Sequence, residues 1–362
     1  MNNETRKETQ VLPKDVRCVG ADDLTLSLFE NQYPVQPMGV SYNSYLILDE
    51  KIAVMDSVDA RAADEWLAKL AHELDGRRPD YLVISHMEPD HSGSILRLAE
   101  RYPEMQLVGN AKTFAMLRQF FGAKAPTDDR LLEVGEGETL PLGAHTLHFM
   151  LAPMVHWPEV MVAYEETEKL LFSADAFGRF GSLGRTANAP WAPQARRYYY
   201  NIVGKYGAQV QALLKKASAL EIKTVCPLHG PVLTGEALGE ALRLYDLWSR
   251  WQSESPDDIL LAHASIHGNT ARAAELLKQK LEAKGARVTL CDLTTTEVSY
   301  AVANAFCCGK LVLACSTYDG GLFPPMEEFL SHLQAKGFRD RSVGLMENGS
   351  WAPAAARLMR AK

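Results

Sequence analysis

The sequence predicts an α/β protein built from two domains. At 362 residues the chain is longer than a single hydrophobic core usually supports. From about residue 16 to residue 225, short apolar runs alternate with turns and a few helical segments, which is typical of a layered α/β fold. Beyond residue 257 the pattern changes to a regular strand–helix alternation, which indicates a doubly wound parallel sheet.

The first domain is predicted to span residues 1–253. Apolar runs at 45–48 and 52–55, separated by Asp49, Glu50 and Lys51, predict a hairpin. Helical spacing is present at 60–74 and 236–252, and further strands are predicted at 81–84, 146–151 and 169–173. The polar stretch 253–257 contains Pro256 and predicts the linker between the domains.

The second domain is predicted to span residues 257–362. Its predicted strands lie at 259–262, 287–291, 311–315 and 343–346, and its predicted helices at 270–283, 298–305, 325–336 and 352–361. Ligands of such a sheet bind at the carboxyl ends of its strands.

Composition and charge exclude several classes of partner. The net charge is −7 and no long cluster of lysine and arginine is present, which argues against nucleic acid. The polar N-terminal residues 1–13 lack the apolar core of a signal peptide, and no apolar stretch is long enough to span a membrane. We therefore expect a soluble, cytoplasmic protein that does not bind membranes.

The cysteines fit a reducing compartment. All six are scattered along the sequence and none forms a Cys-x-x-Cys pair, so neither a disulfide framework nor a thiolate metal site is expected. We predict that they are small buried residues: Cys18, Cys226, Cys291, Cys307, Cys308 and Cys315.

A dense group of metal-ligand side chains directly follows the strand predicted at 81–84. His86, Glu88 and Asp90 alternate, so an extended segment would point them in one direction, and His91 takes the next position. A lone histidine is usually a core or surface residue. Four potential ligands within six residues favour a metal site instead.

Three later residues complete the candidate site. His156, Asp175 and His229 each come near the end of an apolar strand, where α/β proteins build their sites. Taken singly, the two histidines would more often be structural, and Asp175 would serve equally well as a helix cap. The metal site is indicated by the seven residues taken together and not by any one of them.

These motifs resemble a known family. The 86–91 segment is similar to the metallo-β-lactamase signature His-x-His-x-Asp-His, with Glu88 in the place of the second histidine. This replacement, joined to a flavodoxin-like second half, resembles the flavodiiron proteins, also called A-type flavoproteins. The resemblance extends from the run at 42–45 to Trp351 and implies a metallo-β-lactamase-like αββα sandwich followed by a flavodoxin-like domain.

The resemblance also assigns the ligands of two irons. It implies that His86, Glu88 and His156 bind one iron, that Asp90, His91 and His229 bind the other, and that Asp175 bridges them. In some family members the histidine matching His91 is not coordinated. The donor chemistry agrees, because a mixed set of imidazoles and carboxylates favours iron over a thiolate-type zinc site.

A second cofactor is expected in the second domain. The loop at 265–270 connects a strand to a helix and offers hydroxyls, an amide and a glycine, which can hold a phosphate at the helix N-terminus. The alternative is that Ser265, Asn269 and Thr270 merely cap the helix.

Two further loops, 316–321 and 347–351, also follow strand ends and therefore converge on the same edge of the sheet. The resemblance implies FMN, with its phosphate in the first loop and its ring against the other two, where Tyr318 and Trp351 are either ring contacts or ordinary packing aromatics. The predicted FMN-binding residues are Ser265, Ile266, His267, Gly268, Asn269, Thr270, Ser316, Thr317, Tyr318, Asp319, Gly320, Asn348, Gly349, Ser350 and Trp351.

The second domain departs from the family in one respect. A flavodoxin-like sheet has about five strands, and only four are recognisable, at 259–262, 287–291, 311–315 and 343–346. The last strand and helix are thus expected to be missing, so the domain is predicted to be incomplete at its C-terminal end, with an exposed sheet edge that puts FMN retention in question.

The resemblance implies an activity and partners. The expected reaction is reduction of O₂ to water, of NO to N₂O, or of both, by electrons that pass from a small donor such as rubredoxin through FMN to two irons. No fused rubredoxin is expected, because its Cys-x-x-Cys pairs are absent from the sequence. Family members usually form head-to-tail homodimers or dimers of dimers.

Two alternatives remain open at this point. The first is a zinc-dependent metallo-β-lactamase-like hydrolase, which Glu88 and the flavin loops disfavour. The second is a flavodoxin-type electron carrier with a scaffold domain, which the seven coincident ligands disfavour.

Overall fold

The structure, a computed structural model, describes residues 12–362. The N-terminal residues 1–11, in which the sequence predicts no signal peptide, lie outside the described residues. The chain divides into two compact units. The first comprises the residues up to Ala195 together with Gln209–Leu242, and the second comprises Arg196–Ala208 together with Arg243–Lys362.

The first unit contains short strands that follow one another along the chain. They are β1 (Val16–Cys18), β2 (Ala21–Asp23), β3 (Leu28–Phe29), β4 (Tyr33–Pro34), β5 (Val40–Tyr42), β6 (Tyr45–Ile47), β7 (Ala53–Met55), β8 (Tyr81–Val83), β9 (Gln106–Gly109), β10 (Leu131–Glu133), β11 (Thr139–Pro141), β12 (Thr146–Leu151), β13 (Met161–Glu165), β14 (Leu170–Phe172), β15 (Thr224–Cys226) and β16 (Leu233–Thr234).

The helices up to residue 249 are mostly short. They are α1 (Ala63–Leu74), α2 (Pro89–Ser92), α3 (Ile95–Arg101), α4 (Ala111–Phe121), α5 (Trp191–Tyr198), α6 (Gly207–Ala217) and α7 (Gly235–Ser249). Single turns of 3-10 helix lie at Ala60–Ala62, Gly122–Lys124, Asp128–Arg130 and Gly204–Tyr206, and a π-helical turn spans Tyr199–Val203.

Two six-stranded sheets form the core of the first unit. Their strand orders are β1-β6-β7-β8-β9-β10 and β11-β12-β13-β14-β15-β16. Their facing side chains form one buried cluster, to which Val83 and Val108 contribute from the first sheet and Phe149 and Phe172 from the second. The predicted hairpin is confirmed, since Tyr45–Ile47 pairs antiparallel with Ala53–Met55. This is the sandwich that the resemblance implies.

The second unit contains a parallel sheet flanked by helices. Its elements are β17 (Ser255–Ala264), α8 (Asn269–Glu282), β18 (Val288–Asp292), α9 (Val298–Cys307), β19 (Cys308–Tyr318), β20 (Gly321–Leu322), α10 (Pro324–Ala335), β21 (Ser342–Asn348) and α11 (Ala355–Ala361). The parallel strands lie in the order β18-β17-β19-β21, and β20 folds back antiparallel on β19. The predicted doubly wound sheet is confirmed.

Two details of the second unit differ from the prediction. Strand β17 begins at Ser255 and pairs there with Cys308, so part of the predicted linker at 253–257 is strand. In addition, Arg196–Ala208 belongs to this unit, where the Tyr200 ring stacks on Phe306 with centroids 3.9 Å apart. No sequence pattern signalled this long-range packing. The division into domains at 1–253 and 257–362 stays a prediction.

The cysteine prediction is wrong at two positions. Cys18 is exposed and Cys307 is half-buried, whereas the other four are buried. Cys18 is the last residue of β1, along which exposure increases from the buried Val16 to the strand end, and Cys307 is the last residue of α9. A strand end and a helix end expose side chains that composition alone assigns to the core.

Candidate metal centre

The candidate ligands are carried by loops at the ends of core strands. His86 follows β8, Asp175 follows β14 and His229 follows β15, while His156 lies between β12 and β13. Strands β14 and β15 are parallel neighbours, so their carboxyl ends bring Asp175 and His229 to the same edge. The buried strands fix the backbone at the points where these loops begin.

The alternation of His86, Glu88 and Asp90 predicted an extended segment, but the segment does not continue as extended chain beyond Glu88. Pro89 begins a helical turn, α2, because its fixed φ angle suits the first position of a helix. His86 and Glu88 precede this turn, and Asp90 and His91 lie within it. The turn therefore directs the second pair of ligands away from the first.

One set of donor atoms, which we call the His86 group, comprises His86, Glu88 and His156. Nε2 of His156 lies 3.1 Å from Oε2 of Glu88, and Nε2 of His86 lies 3.3 Å from the same oxygen. All three side chains thus point their donor atoms at one small volume.

A second set, which we call the His91 group, comprises Asp90, His91 and His229. The Nε2 atoms of His91 and His229 lie 3.1 Å apart. Oδ2 of Asp90 lies 3.4 Å from the first and 3.3 Å from the second. Two imidazoles and one carboxylate again converge.

Asp175 faces both groups. Its Oδ2 atom lies 3.0 Å from Nε2 of His156, and its Oδ1 atom lies 3.2 Å from Nε2 of His91. In each group one donor atom per residue lies within 4.8 Å of the others, with Asp175 counted in the first. The structure therefore brings all seven predicted ligands together.

The burial of these ligands fits a cationic occupant. His86, His91, His229 and Asp175 are fully buried. Within residues 12–362, both carboxylate oxygens of the buried Asp90 lack a hydrogen-bond partner. A buried carboxylate without a donor is unfavourable unless a cation compensates it. Two divalent ions between these seven donors would supply that compensation, so the residues fit the group that the resemblance implies.

The carboxylates also shift the protonation of the histidines. Burial opposes the charge on His156, but hydrogen bonds with Asp175 and Glu88 outweigh it and raise its pKa to about 9. The pKa of Asp175 falls well below its usual value, because hydrogen bonds from His156 and His91 outweigh the effect of burial. The site thus strongly favours positive charge beside its carboxylates.

Three supporting residues were missed by the sequence reasoning. Oδ1 of Asp56 accepts hydrogen bonds from the backbone amides of Ser85 and His86 at 2.7 and 3.3 Å. The Asn43 amide donates to the carbonyl oxygens of Pro227 and Gly230 at 2.8 and 2.7 Å, on both sides of His229. Glu159, next to Pro158, contacts His86. Polar residues beside strands give no periodic signal, so the sequence alone did not mark them.

A cavity of about 650 Å³ lies beside the ligands. Its walls include Glu88 and Asp90 from the two groups, as well as Glu30, Arg61 and Trp157. Loss of hydration and the neighbouring Glu88 carboxylate raise the pKa of Glu30 to about 7. A small molecule can reach the ligands from this side.

The predicted cofactor loops meet in the second unit. The Thr270 and Ser316 hydroxyls lie 2.8 Å apart, and the Asn348 amide donates to Thr270 Oγ1 at 3.3 Å. The Ser265 hydroxyl is buried and, within residues 12–362, has no hydrogen-bond partner. Gly268 is the N-cap residue of α8, with φ +83°, and a Cβ atom there would meet nothing within 4 Å. An unsatisfied hydroxyl and an open glycine at a helix N-terminus fit a phosphate group.

The predicted ring contacts are accessible. Trp351 is 82% exposed, and Tyr318 and Ile266 are also exposed. Thr317 is half-buried instead, and its hydroxyl accepts hydrogen bonds from the backbone amides of Ala354 and Ala355 at 2.9 and 3.2 Å. Thr317 thus holds the start of α11, and its predicted contact with FMN stays a prediction, like those of the other loop residues.

Comparison with known proteins places the chain in context. Residues 40–230, more than half of the chain, match the sequence model of a family described as ODP family beta lactamase. The chain is 28% identical to the rubredoxin-oxygen oxidoreductase of Megalodesulfovibrio gigas, over 94% of this chain and 85% of that protein. It is also 28% identical to a nitric oxide reductase of Moorella thermoacetica, over 90% of this chain and 82% of that protein.

The chain also resembles solved structures of flavodiiron proteins. The crystal structure of the flavodiiron protein from Giardia intestinalis superposes with a TM-score of 0.87 at 27% identity, over 95% of this chain and 84% of that one. By contrast, the chain spans about half the length of the diflavin flavoproteins that it matches. The fold of this chain is therefore shared with known proteins.

Proposed function

The chain belongs to the flavodiiron protein family, and from this premise we propose that it is an oxidoreductase acting on O₂, NO or both. The proposed reactions are the reduction of O₂ to water and of NO to N₂O, with electrons relayed through FMN to a diiron centre. The observation that carries the proposal is the position of Asp175, which presents one oxygen to the His86 group and the other to the His91 group.

We assign the metal ligands by their position. The His86 group would hold one iron, the His91 group would hold the other, and Asp175 would bridge them. When bound, the iron pair supplies redox electrons and open coordination positions for a diatomic gas. The three ligand carboxylates offset much of the charge of two divalent ions, which favours retaining both ions in a buried pocket.

Aromatic rings pack against two of the ligand histidines. Trp157 meets His86, and Phe29 meets His229, in edge-to-face contacts with ring centroids 5.3 Å apart in each pair. The carboxyl group of Glu30, whose pKa is about 7, lies on the wall of the adjoining cavity and can hold a proton there. Both proposed reductions consume protons, so a carboxyl group at this place is chemically useful.

The second unit would hold FMN, which supplies single-electron transfer when bound. The hydroxyls of Ser265, Thr270 and Ser316 and the Asn348 amide would bind and orient it at the carboxyl end of the sheet. Trp351 and Tyr318 present exposed aromatic surface beside these groups and would contact its ring.

The proposed partners follow from the same family. We propose a small redox donor of the rubredoxin type and a head-to-tail homodimer or a dimer of dimers.

None of the helices in residues 12–362 combines the length and apolar composition that crossing a bilayer requires.

The experiment is a gas-consumption assay on the purified full chain after iron and FMN have been quantified. Under anaerobic conditions the FMN-reduced protein receives NO or O₂ separately, and consumption is followed with gas electrodes. The proposal expects two irons and one FMN per chain and catalytic loss of at least one gas. Zinc without flavin, together with hydrolysis of an ester, would support the hydrolase instead, and flavin without metal would support the electron carrier.

A further inference from the structure

The two ligand groups differ in how their histidines are held. Nδ1 of His86 donates a hydrogen bond to Oε1 of Glu159 at 2.7 Å. Nδ1 of His229 donates to the carbonyl oxygen of Ser41 at 2.7 Å. Nδ1 of His91 is buried and has no hydrogen-bond partner within residues 12–362. Among these three ligand histidines, only His86 thus has a carboxylate as the hydrogen-bond partner of its Nδ1 atom.

Glu159 is well placed to be an ionised partner. Its side chain is fully buried, and Oε1 also accepts a hydrogen bond from the backbone amide of Met87 at 2.9 Å. The Asn110 amide donates to the Glu159 carbonyl oxygen at 2.6 Å and holds this residue from the backbone side. The carboxylate is therefore fixed in one position.

A carboxylate at this position acts on the metal-facing nitrogen. Because Nδ1 of His86 keeps its proton and donates it in the hydrogen bond to Glu159, the lone pair lies on His86 Nε2, and this atom lies beside Glu88 and Asp175. Negative charge on the far side of an imidazole makes the near nitrogen a stronger donor. A carbonyl oxygen, such as that of Ser41, does this less strongly because it carries no net charge.

We propose that Glu159 is a positioning residue that makes the metal position of the His86 group the tighter of the two, so that metal ions fill the pocket in two unequal steps. This inference rests on the proposed function, since it assumes that the pocket binds two metal ions. The first ion occupies the His86 group, with Asp175 as a shared ligand, and the second completes the His91 group.

The chain offers a matched control for Glu159. Glu165 on β13 is also fully buried, and its two oxygens accept hydrogen bonds from the backbone amides of Thr167 and Glu168 at 2.8 and 2.7 Å. Neither of these hydrogen bonds involves one of the seven ligands. Glu165→Gln therefore removes the charge of a buried carboxylate close to Glu159 in sequence, while His86 keeps its hydrogen-bond partner.

The test is an anaerobic titration of the metal-free full chain with Fe(II) against a competing chelator, which yields two stepwise affinities. We expect Glu159→Gln, which keeps the shape but removes the charge, to weaken the first step by about 10–100-fold. The second step serves as an internal control for folding and is expected to change little, and Glu165→Gln is expected to leave both steps as in the wild type. Glu159→Ala should weaken the first step at least as much as Glu159→Gln.

The location of the first ion provides an independent readout. A crystal of the wild-type protein with one equivalent of Co(II) should show anomalous density in the His86 group alone. Equal stepwise affinities in the wild type, an unchanged first step in both Glu159 variants, or first-ion density in the His91 group would overturn the inference while leaving a two-metal site intact. Binding of fewer than two ions by the wild type would instead contradict the proposed function.

Discussion

Oδ2 of Asp175 lies 3.0 Å from Nε2 of His156, at the point where the His86 group and the His91 group face each other. Its other oxygen points to His91. A single buried carboxylate thus joins two clusters, each of which combines residues of the 86–91 segment with a histidine from a distant loop. This relationship is what distinguishes a dinuclear pocket from two unrelated histidine clusters, and the predictions below follow from it and from its surroundings.

We expect Asp175→Ala to prevent the pocket from holding two ions. The variant loses one donor oxygen in each group, so the affinity for at least one ion should fall by about 100-fold or more, which exceeds the usual effect of residues outside the ligand shell. Iron per chain is measured after gel filtration. Asp49→Asn is the control, because Asp49 also pairs with a buried histidine, His145, and should retain the wild-type iron content; equal iron in both variants would contradict the bridging role.

Metal uptake should release protons and strengthen as the pH rises. In the metal-free protein His156 has a pKa of about 9, so at pH 7 it carries a proton that a cation must displace. Each displaced proton should increase the affinity by about tenfold per pH unit until the pH reaches that pKa. Proton release is measured with an indicator dye in weak buffer as Fe(II) is added anaerobically.

The control for this pH dependence is the exposed pair of His148 with Glu166. His148→Ala should keep the slope of affinity against pH, since His148 lies outside the two ligand groups. A metal affinity that does not change between pH 6 and pH 9 would show that the histidines of the pocket are not protonated when the metal is absent.

Ser265→Ala should weaken FMN binding. The Ser265 hydroxyl is buried without a partner in the described part of the chain, and a hydrogen bond to a charged group is worth about 1.5–3 kcal/mol, or roughly a 10–100-fold change in dissociation constant. The measurement is quenching of flavin fluorescence on titration with the flavin-free protein. Ser331→Ala on the exposed side of α10 should bind FMN like the wild type; an equal affinity in the Ser265 variant would remove this hydroxyl from the flavin site.

Asn43→Ala should destabilise the loop that carries His229. The variant loses two buried hydrogen bonds, to Pro227 and Gly230, which should lower the free energy of unfolding by about 2 kcal/mol. Urea unfolding of the metal-free protein measures this change. The exposed Asn188 provides the matched control, and Asn188→Ala should stay within about 0.5 kcal/mol of the wild type. A similar result for both variants would mean that Asn43 does not support the loop.

Much of the fold could be predicted because hydrophobic periodicity is a local signal. Strand β12 at Thr146–Leu151 has the predicted bounds, and α8 and α10 begin within one residue of the prediction. The packing of Arg196–Ala208 in the second unit could not be predicted in the same way. Contacts such as Tyr200 with Phe306 join segments about a hundred residues apart, and no local pattern encodes them.

The ligands could be predicted because four of them lie within six residues of sequence and the other three lie near the ends of apolar strands. Their division into two groups is geometrically clear only in the structure, where the helical turn at Pro89 separates Glu88 from Asp90. Glu159 and Asn43 were missed for a different reason. Their importance lies in the hydrogen bond each makes to a distant loop, and a buried polar residue beside a strand looks like many others in sequence.

The central claim is tested most directly by a crystal structure of the iron-loaded protein, with anomalous data collected on both sides of the iron absorption edge. The account predicts two iron peaks roughly 3.5–4 Å apart, with His86, Glu88 and His156 around one, Asp90, His91 and His229 around the other, and Asp175 in contact with both. A single peak, or two peaks without Asp175 between them, would contradict it.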